Sequence, residues 1–230
     1  MNNRNSQHVN SFEDLNLRRP YLKRFIIKHF PPDRDSIILD LGCGSGSLIY
    51  FAQQTGYHKI QGVDLSPQKI SNANKCGIHG VEQGDALETL NKKAADTFDC
   101  LIAFDLIEHF NRTNLLLFID AAYRTLKPGG RWLIHTTNAE SPFGMTIRYG
   151  DITHQLAFTR ASLSQLLYLS GFSQVNCYED QPVPHGIISA VRWLLWKIIR
   201  NGLRLYRAIE TGDIGHHAIF SQNILVVAVK

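Results

Sequence analysis

Residues Ile38–Leu48 read ILDLGCGSGSL. A short apolar run, broken only by Asp40, leads into Gly42, Gly44 and Gly46, and a run of helical character follows. The run has the composition of a central parallel strand buried on both faces. Glycines directly after such a strand let the backbone approach a ligand closely. Strand, glycine turn and helix form the first unit of a doubly wound α/β fold, in which ligands sit beyond the carboxyl ends of the strands. The turn alone is compatible with a pyrophosphate, a nucleoside without phosphate, or no ligand.

Outward from the turn the alternation repeats. Upstream, Tyr21 to Phe30 has helical spacing and Pro31-Pro32 stops it. Residues 1–20 read as a lead-in, polar and mobile over 1–16. Downstream, strands are predicted at Ile37–Leu41, Lys59–Asp64, Val81–Asp85, Phe98–Phe104, Arg131–Thr137, Gln174–Tyr178 and Ile224–Val229. Helices are predicted at Ser47–Thr55, from Ser66-Pro67 with proline near its first turn, at Leu115–Leu126 with LKPGG as its stop, and at Ser162–Ser170 with Gly171 as its cap. Strands alternating with helices imply a mostly parallel sheet covered on both faces. The whole chain, 1–230, reads as one domain with an insertion at 181–222.

Bulk properties narrow the function. The formal net charge is +4 over 230 residues, too small to imply nucleic-acid binding by itself. Cys43, Cys76, Cys100 and Cys177 are scattered with no CxxC pair, so neither a zinc knuckle nor a redox motif is suggested. The N-terminus lacks the apolar core of a signal peptide, and no apolar run reaches membrane-spanning length. A cytoplasmic protein with reduced thiols is the expectation.

Acidic residues separate the ligand classes. Asp64, Asp85 and Asp105 fall at the ends of predicted strands, on the same edge as the glycine turn, and Asp40 directly precedes it. The GxGxG spacing departs from the GxGxxG of dinucleotide folds, and a nicotinamide dehydrogenase leaves Asp85 unexplained. A carboxylate-rich pocket repels pyrophosphate and favours a cation. S-adenosylmethionine carries a sulfonium and an ammonium and no phosphate; Asp40 would face that ammonium.

LDLGCGSG, GVDLS, QGDALE, FDCLIAFDLIEHF and LKPGG follow one another at regular intervals. Together they resemble the class I S-adenosylmethionine-dependent methyltransferases over about Tyr21 to Phe172, with a final strand at Asn223 to Lys230. The resemblance implies a Rossmann-like sheet of seven strands with the last antiparallel. It also implies that Gly42, Gly44 and Gly46 line the methionine part, Asp64 holds the ribose and Asp85 the adenine. Leu65, Ala86 and Phe104, adjoining those acids, complete the expected cofactor set. Asp105 would face the reaction centre.

Methyl transfer to an alcohol needs positioning of two reactants and a base for the acceptor proton. His109, in DLIEHF, and His154, in YGDITHQLAFT, are the candidate bases, since an ordinary imidazole titrates near neutrality. Asp105, Glu108 and His109 could also share one helical face as mixed ligands of a divalent ion. The quinone-biosynthesis O-methyltransferases carry a similar Glu-x-x-Glu-His segment, with Glu where this chain has Asp105. The preferred reading assigns these residues to packing and hydrogen bonds around the cofactor, with no metal.

The insertion contains IISAVRWLLWKIIRNGLRLYRAIE, Ile187–Glu210. At helical spacing Arg192, Lys197, Arg200, Arg204 and Arg207 share a broad face, and Val191, Leu194, Leu195, Ile198, Leu205 and Ile209 lie opposite. Residues 187–209 can therefore lie on an anionic membrane or pack on the sheet or a second subunit; no groove-reading motif accompanies them, so nucleic acid is disfavoured. TTNAESPFG, RYGDITHQLAFT, ETGD and QNILVVAVK are similar to methyltransferases encoded with bacterial polysaccharide-assembly enzymes. That similarity implies a sugar or lipid-linked glycan acceptor, with Asn138, Arg148, Tyr149, Asp151 and His154 facing it. A small aromatic or quinone acceptor is the alternative enzyme reading, and a non-catalytic membrane-docked scaffold is the alternative outside enzymes.

Overall fold

The computed structural model describes residues 12–215 and 217–230, with side chains from residue 18 onward. Strands β1 (Ile38–Leu41), β2 (Ile60–Asp64), β3 (Val81–Gln83), β4 (Phe98–Phe104), β5 (Leu126–Thr137), β6 (Gln174–Glu179) and β7 (Asn223–Val229) form one sheet. Their order is β3-β2-β1-β4-β5-β7-β6. β1 to β5 are parallel neighbours, and β7 runs antiparallel to both β5 and β6. This is the expected doubly wound, seven-stranded, mostly parallel sheet.

Among the described residues α1 (Phe12–His29) precedes the sheet, and α2 (Ser47–Gln54), α3 (Pro67–Lys75), α4 (Ala86–Asn91), α5 (Arg112–Thr125), α6 (Gly144–Arg148), α7 (Arg160–Leu169) and α8 (Ile187–Thr211) lie between strands. Alternation along the strands sends neighbouring residues to opposite faces. Leu39, Leu41, Leu101, Ala103, Trp132 and Ile134 pack with α4, α5 and α7. Ile38, Ile60, Cys100, Ile102 and Leu133 pack with α1, α2 and α3. The sheet is therefore buried on both sides, which explains its continuous apolar strands.

Three expectations need correction. The lead-in lies outside the described residues for 1–11, but 12–20 belong to α1, which carries Pro20 inside it. Helix α5 starts earlier than predicted because Asn111 caps it by accepting from the Asn114 amide. LKPGG does not merely end that helix. It opens β5, where Leu126 pairs with Phe98 before an irregularity restores register at Cys100–Arg131. All four cysteines are free thiols.

Candidate active site

The glycine turn is built as its sequence demands. Gly42, Gly44 and Gly46 have φ of 73°, 60° and 75°, a region that favours glycine. The Gly42 and Cys43 amides donate to the Val63 carbonyl, which ties the turn to β2. A Cβ on Gly44 would meet no atom within 4 Å, so this backbone borders open space. Gly62 holds β2 against the turn from below, because a Cβ there would sit 2.6 Å from Cys43 Cβ.

Above the turn lies a cleft of about 930 Å³ at the carboxyl edge of β1, β2 and β4. Asp40, Gly42, Gly44, Asp64, Leu65, Asp85, Ala86, Phe104, Asp105, His109 and His154 all line it. Sequence motifs more than a hundred residues apart thus converge on one cavity. Gly46 does not line it: a Cβ there would press on Ile78 Cγ2 at 2.9 Å, so this glycine serves the approach of α2 to Ile78 and Val81.

Each acid is held differently. Asp64 Oδ2 accepts from the Gly44 amide at 2.9 Å and Oδ1 from the Ser66 amide at 2.9 Å, with Lys69 Nζ 3.6 Å away. Asp85 caps α4, its Oδ1 accepting from the Glu88 amide. Asp40 is buried, and its Oδ1 has no hydrogen-bond partner among the described residues. Burial, reinforced by the Asp64 charge, pushes its carboxyl up to about 8. An orphaned buried carboxylate oxygen facing a cavity invites a cationic N–H donor.

The histidines sit together at the rim. Their ring centroids are 4.7 Å apart, edge to face. His154 Nδ1 is 3.1 Å from the Ile147 carbonyl oxygen. A carbonyl only accepts, so Nδ1 carries the proton and Nε2 of the neutral ring is the basic nitrogen. Asp151 fixes His109 in the same tautomer through Thr153. The Thr153 hydroxyl donates to Asp151 Oδ1 at 2.7 Å and accepts from His109 Nδ1 at 3.0 Å. Burial, then the nearby His154, lowers the His109 pKa and keeps it neutral.

Asp105, Glu108 and His109 do not converge. Asp105 turns to His135, Glu108 Oε2 accepts from the Thr136 hydroxyl at 2.8 Å, and His109 turns to Thr153. Among the described residues no group of three metal-ligating side chains comes together. Burial, and then Asp105, raise Glu108 to about 8, which suits a neutral, hydrogen-bonded acid.

The acceptor-facing set also divides. Asn138 is fully buried and donates to the carbonyls of Ile219 and Ser221, so it braces the chain before β7. Arg148 donates to the Gln155 carbonyl, and Tyr149 is exposed. Asp151 and His154 line the cleft.

The sequence reading overlooked His135. Within β5 it looks like one polar break in an apolar strand, yet it joins Asp105 to Asp180, which lies just beyond β6. Phe104 stacks on its ring at 4.5 Å. Asp180 and Tyr21 border a second, mostly apolar groove of about 900 Å³ between α8 and the sheet edge.

Residues 15–176 match the family model described as a methyltransferase domain. The chain is 32% identical over 108 residues to the ubiquinone biosynthesis O-methyltransferase of Xylella fastidiosa, covering 44% of this chain and 42% of that protein. It is 33% identical over 148 residues to the mitochondrial ubiquinone biosynthesis O-methyltransferase of Rattus norvegicus, covering 56% and 40%. The matches thus span about two-fifths of these relatives' length. The fold superposes on a SAM-dependent methyltransferase from Archaeoglobus fulgidus with a TM-score of 0.71 at 20% identity, covering 94% of each chain. It superposes on Haemonchus contortus phosphoethanolamine N-methyltransferase 2, solved with S-adenosyl-L-methionine, with a TM-score of 0.61 at 20% identity, covering 94% of this chain and 52% of that one. The chain belongs to the methyltransferase-domain family and has the Rossmann-like fold of S-adenosylmethionine-dependent methyltransferases.

Proposed function

We propose that the chain is an S-adenosylmethionine-dependent O-methyltransferase acting on a hydroxyl of an aromatic or quinone precursor. The observation that carries the reading is the acid-lined cleft with a histidine pair at its rim. Its volume suits a nucleoside-sized ligand. The orphaned Asp40 oxygen fits an ammonium, and the open space over Gly44 fits close approach of a ligand to backbone. The names of the relatives favour oxygen as the acceptor atom and a quinone precursor as its carrier.

S-adenosylmethionine, when bound, supplies an electrophilic methyl group on a sulfonium sulfur. Asp40 accepts from the amino-acid end, Asp64 from ribose hydroxyls and Asp85 from the adenine amino group. Leu65, Ala86 and Phe104 supply apolar walls. His154, with Nδ1 committed to the Ile147 carbonyl, takes the acceptor's hydroxyl proton at Nε2. Asp105, anchored by His135, places a fixed negative charge beside the reacting groups.

A sugar or lipid-linked glycan hydroxyl is the second acceptor reading, and the apolar groove beside Asp180 suits the lipid part of such a molecule as well. The test is transfer of labelled methyl from S-adenosylmethionine into a membrane-plus-cytosol extract, followed by phase partition and identification of the product. A methylated phenol or quinol in the organic phase supports the first reading, and a methylated glycan supports the second. Absence of both transfer and a thermal shift with S-adenosylhomocysteine overturns the enzyme assignment in favour of a scaffold.

A further inference from the structure

Helix α8, a long helix outside the α/β core, presents its apolar face to solvent. Over 25 residues it has no buried side chain. Leu194, Ile198, Leu205 and Ile209 lie on one side and are 54%, 60%, 63% and 77% exposed. The opposite side leans on the protein: Trp193, Trp196, Arg200 and Leu203 are partly covered. Arg200 pairs with Glu179 at the end of β6, and Trp193 Nε1 donates to Gln181. The polar contacts hold the helix with its apolar face outward.

We propose that α8 docks the protein on an anionic lipid bilayer through this outward face. The docking is independent of the acceptor's identity. Two observations single out lipid as the occupant. First, α8 carries five basic residues and one acidic, and Arg192 and Lys197 are exposed at the two margins of the apolar face. Such margins attract anionic headgroups, whereas a second copy of α8 would bring like charges together. Second, the apolar face from Leu194 to Leu195, with Val191, Ile198, Leu205 and Ile209 between, spans about 100° of arc at 3.6 residues per turn, broader than the seam of a two-helix coiled coil. On such a bilayer α8 would lie in the interface plane, since no described helix is long and apolar enough to cross a membrane.

The groove of about 900 Å³ has Ile188, Leu195 and Ile199 of α8 as one wall and Tyr21, Phe143 and Asp180 as the other. Docking through α8 would place that groove against the bilayer surface, where an acceptor with an apolar chain could enter it.

The test is co-sedimentation of the full chain with vesicles of phosphatidylcholine alone or with phosphatidylglycerol added. Binding to the anionic vesicles at least about tenfold stronger, weakened by high salt, is expected. Leu194→Asp with Ile198→Asp should abolish it while the melting temperature holds, since both side chains are exposed. Arg192→Glu with Lys197→Glu should remove the preference for anionic lipid. Equal sedimentation of wild type and the Leu194/Ile198 variant overturns the proposal. So does failure to bind either vesicle, or light scattering that shows a dimer which that variant converts to monomer.

Discussion

His135 Nδ1 lies 2.5 Å from Asp105 Oδ1, and its Nε2 lies 3.3 Å from Asp180 Oδ2. One buried imidazole therefore joins the cleft over β4 to the groove beyond β6. Burial opposes a charge on His135, but Asp105 and then Asp180 outweigh it and raise its pKa to about 10. Burial would raise Asp105, yet His135 more than offsets this and holds it low. At neutral pH the group is a cation between two carboxylates.

The sign of its pH dependence follows. A histidine raised above its unfolded value contributes stability that is fully present below about pH 6.5 and is lost as pH rises through about 10. His135→Gln should cost about 2 kcal/mol at pH 6, less than a fully buried pair because Asp105 is half exposed. The deficit should shrink toward pH 10. Thermal melts of both proteins across that range measure it.

Asp40 has the reverse chemistry and a related slope. Its folded carboxyl titrates near 8, well above an unfolded aspartate, so the folded state holds an extra proton between about pH 4 and pH 8. Stability should fall with rising pH across that window, by up to about 1.4 kcal/mol per pH unit from this group. Asp40→Asn should flatten that part of the profile and become relatively more stable as pH rises. The same variant should lose the thermal shift with S-adenosylhomocysteine.

Two glycines separate packing from binding. Gly62→Ala should destabilise by about 1–3 kcal/mol, because the new methyl runs into Ile49 and Cys43. Gly44→Ala meets no atom, so its fold cost should be about 1 kcal/mol, from positive φ alone. Its main effect should be loss of S-adenosylhomocysteine affinity by calorimetry. Unchanged affinity would remove the glycine turn from the cofactor site.

The two rim histidines should also behave differently from the acids. His154→Ala should lower kcat by about 10²-fold or more if it removes the acceptor proton, with S-adenosylhomocysteine affinity unchanged. His109→Ala should have a smaller effect on kcat. Equal turnover of His154→Ala and wild type would exclude His154 as the base.

Much of this arrangement was legible because its determinants are local. The apolar runs of β1, β2, β4 and β7 sit between recognisable turns, and Asp64, Asp85 and Asp105 mark strand ends directly. What escaped was non-local. Pro20 concealed that α1 begins upstream, and LKPGG joins a helix end to a strand start within five residues. His135 gives no sign in sequence of a partner in Asp180, because only the crossing of β7 between β5 and β6 brings them together. The amphipathic character of α8 was plain, but which face turns outward depends on Glu179, eight residues before the helix begins.

Strands β6 and β7 pair from Gln174–Val229 to Glu179–Ile224, so the chain departs the sheet after β6 and re-enters it beside the same point. Helix α8 is therefore an excursion whose two ends return to one point of the sheet. The turns of α8 can lengthen or shorten without breaking a rung of the ladder or touching the glycine turn, provided that Ile219 and Ser221 keep their bonds to Asn138. Changes in the length of α8 would thus alter the groove beside Asp180 while the cleft over the glycine turn stays as it is.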